Sequence, residues 1–415
     1  MSSFNKNLAR LQVLQALALL VPILLQLWLA RALGPFSYGR SIFVGAVTSF
    51  LVLLCDFGFG WSATRLVAVH RADPQRCSEV VSTTLAAKLA LFVLGLAILA
   101  VLVLLVEDFR KEAPLLFVAY AGVLGAVLSP AWYFQGVERP HVPIVADFAG
   151  RLLVVPAVVL WVTGPADLML AIMLLAAGQL VGGTAAFAVM LREPHLRWVA
   201  PSLRTMTRTL WKGVPLFLSA SAVSLYTATS GVVLGLLASR EQVAYFGAAQ
   251  KVVQAALNIL IPFNTLLYPR ASHLFQHEPA SGARFVRHAF FMQGSVGLVL
   301  AAALYLFAEA LTVAAFGTAF APAVMCLQLM APIALLVAVT GVFANLIMLP
   351  LGRDALHLTM TAAAAVIHVA ILIPLALSKG AVGASLALLA SEGFVTIYAV
   401  AVGGWLLRRA IRGAR

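Results

Sequence analysis

Residues 89–106 read LALFVLGLAILAVLVLLV, a run with no charged or strongly polar side chain. A helix needs about 20 mostly apolar residues to cross the hydrocarbon core of a bilayer. Extended back to residue 84, the run reaches that length. Only helices and closed barrels pair all their backbone polar groups inside lipid. Barrel strands alternate apolar and polar residues, and this run does not alternate, so it reads as a transmembrane helix. Similar runs predict helices over 11–31, 41–62, 84–106, 113–135, 142–163 and 167–191, and again over 211–237, 243–269, 287–308, 322–349, 355–377 and 380–407. The expected fold is therefore an all-α polytopic membrane protein of about twelve spans. Helices 1–6 lie in 1–191 and helices 7–12 in 213–415, around a basic segment, 192–212.

Composition agrees with lipid as the solvent. Of the 415 residues 62% are hydrophobic and 10% charged, against roughly half and a quarter in a soluble domain. In a soluble chain the net charge of +13 would point to nucleic acid. Here the basic residues fall in short connections, where they set topology and meet anionic headgroups, so no nucleic-acid partner is expected. Cys55, Cys77 and Cys326 have neither metal-site nor disulfide spacing. No small-residue cleavage site follows the first apolar run, which reads as a retained helix.

With the N-terminus in the cytoplasm, twenty of the 28 Lys and Arg residues fall on the cytoplasmic side, Lys88 among them, and six on the other, leaving Arg151 and Lys251 inside helices. That asymmetry predicts cytoplasmic N- and C-termini. Segment 192–212 mixes arginines with Trp198 and Trp211, which suits either an interfacial helix or a basic linker. The halves resemble each other weakly. FSYGRSIFVGAV from Phe36 and VAYFGAAQKVVQ from Val243 each open a span with a Tyr and Gly pair, and Arg65 and Arg270 close the spans. Six helices per half would make this a parallel repeat about the membrane normal.

Four further stretches carry a family likeness: ARALGPFSYG (30–39), DFGFGWSATRLVA (56–68), SPAWYFQGVERP (129–140), and VAYFGAAQKV with LYPRASHLF (243–252 and 267–275). In order and spacing they resemble the polysaccharide flippases of the Wzx type, in the multidrug/oligosaccharidyl-lipid/polysaccharide exporter superfamily. The resemblance implies two six-helix lobes forming a V around a central cavity. It also implies transfer of an undecaprenyl-diphosphate-linked glycan from the inner to the outer leaflet, for O-antigen or related polysaccharide. A polysaccharide polymerase and a chain-length regulator are partners it implies, beside the membrane lipids.

Charges inside a membrane are expensive and mark functional candidates. Three cations, Arg31, Arg151 and Lys251, could hold a diphosphate through charge-assisted hydrogen bonds. Each has a plain alternative: Arg151 can be neutralised by Asp147 one turn away, and Arg31 can snorkel to headgroups. Lys251 has no acidic residue within a turn. Asp56, Asp147 and Glu392 are candidate acids for coupling to H+ or Na+, the alternative being hydrogen bonds to neighbouring helices. His273, His277 and His288 read as a solvated loop, not a metal site. No phosphate-cradling GxxxxGK[ST] motif occurs, and no cofactor or catalytic residue is expected. No connection is long enough for the large outer loop of a polysaccharide polymerase or ligase. A cation-coupled drug antiporter of the same superfamily would want a carboxylate in the first helix, and 11–30 has none.

Overall fold

The computed structural model describes residues 2–413; the side chains of residues 2–20, 219–220, 222–227, 279 and 412–413 are not among those described. Lys6, Arg10, Arg412 and Arg415, counted above, fall outside them. The described residues are helical without a strand, and nine stretches are long and apolar enough to cross a membrane. Two of these stretches each hold two predicted spans joined at a glycine. The chain divides into two compact units, Met1–Ser221 and Ala222–Arg415.

In the first unit, α1 (Ser2–Asp56) is two helices joined at Gly34, whose φ of 68° favours glycine; Pro35 starts the second. The second segment ends at Phe57 and Gly58, both with positive φ. After them come α2 (Phe59–His70), α3 (Pro74–Leu105) and the short α4 (Glu107–Lys111). Asp73 caps α3 by accepting from the N–H groups of Gln75 and Arg76, with Pro74 at the first position. Helix α3 thus starts ten residues before the expected boundary and is about 48 Å long at 1.5 Å per residue. Its Leu94, Val101, Leu104 and Leu105 are exposed, as a lipid-facing wall requires. The expected fourth helix breaks at Ser129–Pro130 into α5 (Ala113–Leu128) and α6 (Ala131–Gly136). Two long helices, α7 (His141–Trp161) and α8 (Leu168–Leu191), complete the bundle.

Of the basic segment 192–212, residues 192–202 are not helical, whereas 203–212 open a helix. The amide of Arg197 donates to Ser78 and that of Val199 to Ser82, both at 3.0 Å. These two serines are one turn apart on α3, so the segment is held extended along their row. Helix α9 (Leu203–Leu237) follows, and the boundary of the units falls within it. Its Phe217 stacks on Phe57 at 4.5 Å.

Helices α5, α7 and α8 meet through glycine. A Cβ on Gly183 would run into the Gly125 carbonyl, and one on Gly150 into the backbone of Gly178 and Gly182. Lipid gives no hydrophobic drive between helices, so such close approach is how spans associate. Gly183→Val is expected to destabilise the first unit by at least about 3 kcal/mol, the upper range for overpacking. Gly164→Ala, whose Cβ would meet nothing within 4 Å, should be neutral. Size-exclusion profiles after a heating series check both.

The second unit holds α10 (Arg240–Leu257), α11 (Ile261–His277), α12 (Pro279–Leu306), α13 (Ala308–Phe316), α14 (Ala323–Met330) and α15 (Ile333–Thr340). A π-helical stretch, Gly341–Met348, continues α15. Last comes α16 (Asp354–Gly413), two helices joined at Gly380 with φ 54°. The Ala381 amide donates to Gln242 Oε1 at 2.8 Å and so caps the second segment. His273 and His277 lie on α11 and His288 on α12, so they are helical residues and not a loop.

Candidate functional site: two polar cavities

The break in α1 at residues 57–58 and the break at Ser129–Pro130 open a cavity of about 230 Å³ inside the first unit. Asp56, Lys88, Ser129, Gln135, Asp147 and Gln179 supply its polar wall. Lys88, counted with the cytoplasmic end of the predicted helix 84–106, sits well inside α3 and is 3% exposed. The signal for the earlier helix start was present as the Asp73–Pro74 pair. The Lys88 Nζ donates to the Ala126 carbonyl at 3.2 Å and lies 3.8 Å from Asp56 Oδ1. The second distance is ion-pair range but too long for a hydrogen bond.

Asp147 and Arg151 pair one turn apart on α7 at 3.0 Å. Their side chains are 44% and 43% exposed, and that of Asp56 is 44%. None of the three is as buried as its depth along the helix implied. Depth counts residues from a helix end, whereas burial depends on the face that neighbouring helices cover.

The second unit has a cavity of about 330 Å³ between α10, α11, α15 and α16, with Gln250, Gln254, Asn264 and Glu392 among its lining. Glu392 is 9% exposed. Among the described residues its carboxylate has neither a hydrogen-bond nor an ion-pair partner. Asn264 Oδ1 accepts from Gln293 Nε2 at 3.2 Å, while the Gln293 Oε1 is buried without a partner among the described residues. Lys251 follows Gln250 in sequence but is exposed and outside the cavity wall. Arg31 is exposed on α1, three positions before Gly34, and lines neither cavity.

Sequence reasoning also passed over His368, which is fully buried. Its Nε2 meets Ser230 and its Nδ1 meets Ser391, each at 3.0 Å. Ser391 spends its hydrogen on the Ala387 carbonyl at 2.7 Å, so Nδ1 carries the imidazole hydrogen and Nε2 accepts from Ser230. A neutral histidine thereby ties α9 to both segments of α16.

This helical membrane bundle, with a polar cavity inside each unit, has a fold that solved membrane proteins share. A solved inward-facing MATE family transporter of the MOP superfamily superimposes with a TM-score of 0.79 at 16% identity, covering 96% of each chain. The lipid II flippase MurJ, in an inward closed conformation, gives 0.74 at 11% identity, covering 95% of this chain and 87% of that one. Residues 4–275 match the model of the polysaccharide biosynthesis protein family, and the chain belongs to that family. A relative from Escherichia coli (strain K12), "Putative O-antigen transporter", is 26% identical over 394 residues, 95% of each chain. A relative of the same name from Shigella dysenteriae is 24% identical over 396 residues, 95% of this chain and 98% of its own. The chain is a multi-pass membrane protein of that family.

Proposed function

We propose that this protein is a flippase. It moves an undecaprenyl-diphosphate-linked oligosaccharide from the inner to the outer leaflet of a bacterial inner membrane, for O-antigen synthesis. The observation that carries the reading is likeness over 95% of the chain to two proteins named as O-antigen transporters, and a fold shared with a lipid II flippase supports it. Both termini are cytoplasmic in this reading, following the excess of basic residues on one side. A polysaccharide polymerase and a chain-length regulator act on the delivered glycan.

Transport proceeds by alternating access and draws on an H+ or Na+ gradient. Glu392 is the coupling acid of choice, because Asp56 and Asp147 already face cations while Glu392 faces none among the described residues. Arg151 and Lys251 are the diphosphate contacts, with Arg31 where the chain leaves the first helix. Deleting the gene in the source organism should make lipid-linked glycan accumulate on the cytoplasmic side, with loss of surface polysaccharide. Complementation by the wild type restores it, and Lys251→Gln or Arg151→Gln restores less at equal protein level. Unchanged surface polysaccharide in the deletion strain would sink the reading.

A further inference from the structure

We propose that the cavity of the first unit is a sugar subsite, holding one neutral sugar ring of the glycan. The inference rests on the flippase reading and names the part of the cargo that this cavity takes. Charge is the first argument. Asp56 stands against Lys88 at 3.8 Å and Asp147 against Arg151 at 3.0 Å. The cavity wall itself carries two carboxylates and one ammonium, Arg151 lying outside it, so a phosphate is not attracted, and each carboxylate already faces a cation.

Hydrogen-bonding capacity is the second argument. Each sugar hydroxyl both donates and accepts, so a site for it must offer both. Asp56 and Asp147 accept, the amides of Gln135 and Gln179 do both, and the Ser129 hydroxyl does both. Lys88 has three N–H donors. One goes to Ala126, and Asp56 is too far for a hydrogen bond, so donor capacity remains on a side chain that lines the cavity. A buried donor left without an acceptor is costly, and a hydroxyl oxygen would satisfy it.

Size is the third argument. The cavity's 230 Å³ lies below the roughly 300–1,000 Å³ of pockets for drug-sized ligands, so it takes one ring and not an oligosaccharide, and its polar wall does not suit a lipid chain. Gly60 in the lining, where a Cβ would meet only Asp56 at 3.5 Å, leaves room for a flat ring to approach the backbone.

The test uses Ser129→Cys in the full chain, purified and placed in lipid nanodiscs. The native cysteines are buried, so a small neutral maleimide labels the new thiol preferentially. N-acetylglucosamine, glucose and galactose are added separately, as are inorganic pyrophosphate and sodium chloride at matched ionic strength. At least one neutral sugar should slow labelling saturably, while pyrophosphate and sodium do not. Adding Gln179→Leu should weaken that protection about tenfold, the loss of one well-made hydrogen bond. Ala131→Cys is the second reporter if Ser129→Cys misfolds. Protection by pyrophosphate, protection by sodium, or none from any neutral sugar would each overturn the subsite. The deletion strain described above is scored in parallel. Accumulated lipid-linked glycan without sugar protection removes only the subsite, whereas unchanged surface polysaccharide removes the flippase reading.

Discussion

Glu392→Gln is expected to abolish gradient-driven flipping while leaving the protein folded and inserted. The substitution keeps size and hydrogen-bonding shape but removes the charge. In the wild type the carboxylate is 9% exposed and faces the Gln250–Gln254–Asn264 cavity with no cation among the described residues. An ionised carboxylate is not kept there without compensation, so a proton or a metal cation must arrive with it. Proteoliposomes with an imposed pH or sodium gradient should show wild-type transport rising with one of them. The Gln variant should run at the ungraded rate, at least about tenfold lower if the coupling is worth some 1.4 kcal/mol. Glu392→Asp keeps the charge on a shorter arm and should retain part of the response. Equal response in wild type and Glu392→Gln would remove Glu392 from the coupling machinery.

Asp56→Asn and Lys88→Met should differ sharply although they break the same pair. Lys88 is 4% exposed at its side chain and Asp56 44%. Removing the carboxylate strands a buried ammonium, and breaking a buried pair in this way costs about 3–5 kcal/mol. Removing the lysine leaves a carboxylate that solvent already reaches, with a penalty nearer the roughly 1 kcal/mol of an exposed pair. The double variant, Asp56→Asn with Lys88→Met, should recover most of the loss from Asp56→Asn alone. Thermal denaturation in a single detergent ranks the three. Equal penalties for the two single variants would mean that Lys88 is held by something other than Asp56.

Much of the architecture was legible because lipid imposes it. Long apolar runs can only be helices, and the Gly34–Pro35 and Asp73–Pro74 pairs announce a joint and a helix start in plain sequence. Other features were not legible, for physical reasons. Lys88 is separated from Asp56 by 32 positions and from Ala126 by 38, so its partners are set by how α1, α3 and α5 pack. His368 likewise takes its partners from Ser230 and Ser391, and a scan for charged residues alone passes over a neutral imidazole. The basic segment 192–212 was open to two readings because arginine and tryptophan suit a lipid surface. Residues 197–199 are held by two serines on α3 that its composition does not reveal, while 203–212 are helical. Charge asymmetry is read by counting, whereas burial is decided by rotation about a helix axis, which no count records.

The glycine contacts among α5, α7 and α8 have a mechanical consequence. Where backbone touches backbone, as at Gly125 with Gly183 and Gly150 with Gly182, one helix cannot slide along another without first lifting away from it. The three helices therefore behave as a single plate. Ser129, Asp147 and Gln179 are mounted on or beside that plate, and their spacing stays fixed through any working stroke. Asp56 is not part of it: it stands beside the jointed corner at Phe57–Gly58. The cavity has one wall set by the plate and one set by that corner, so its gauge follows the angle of the corner.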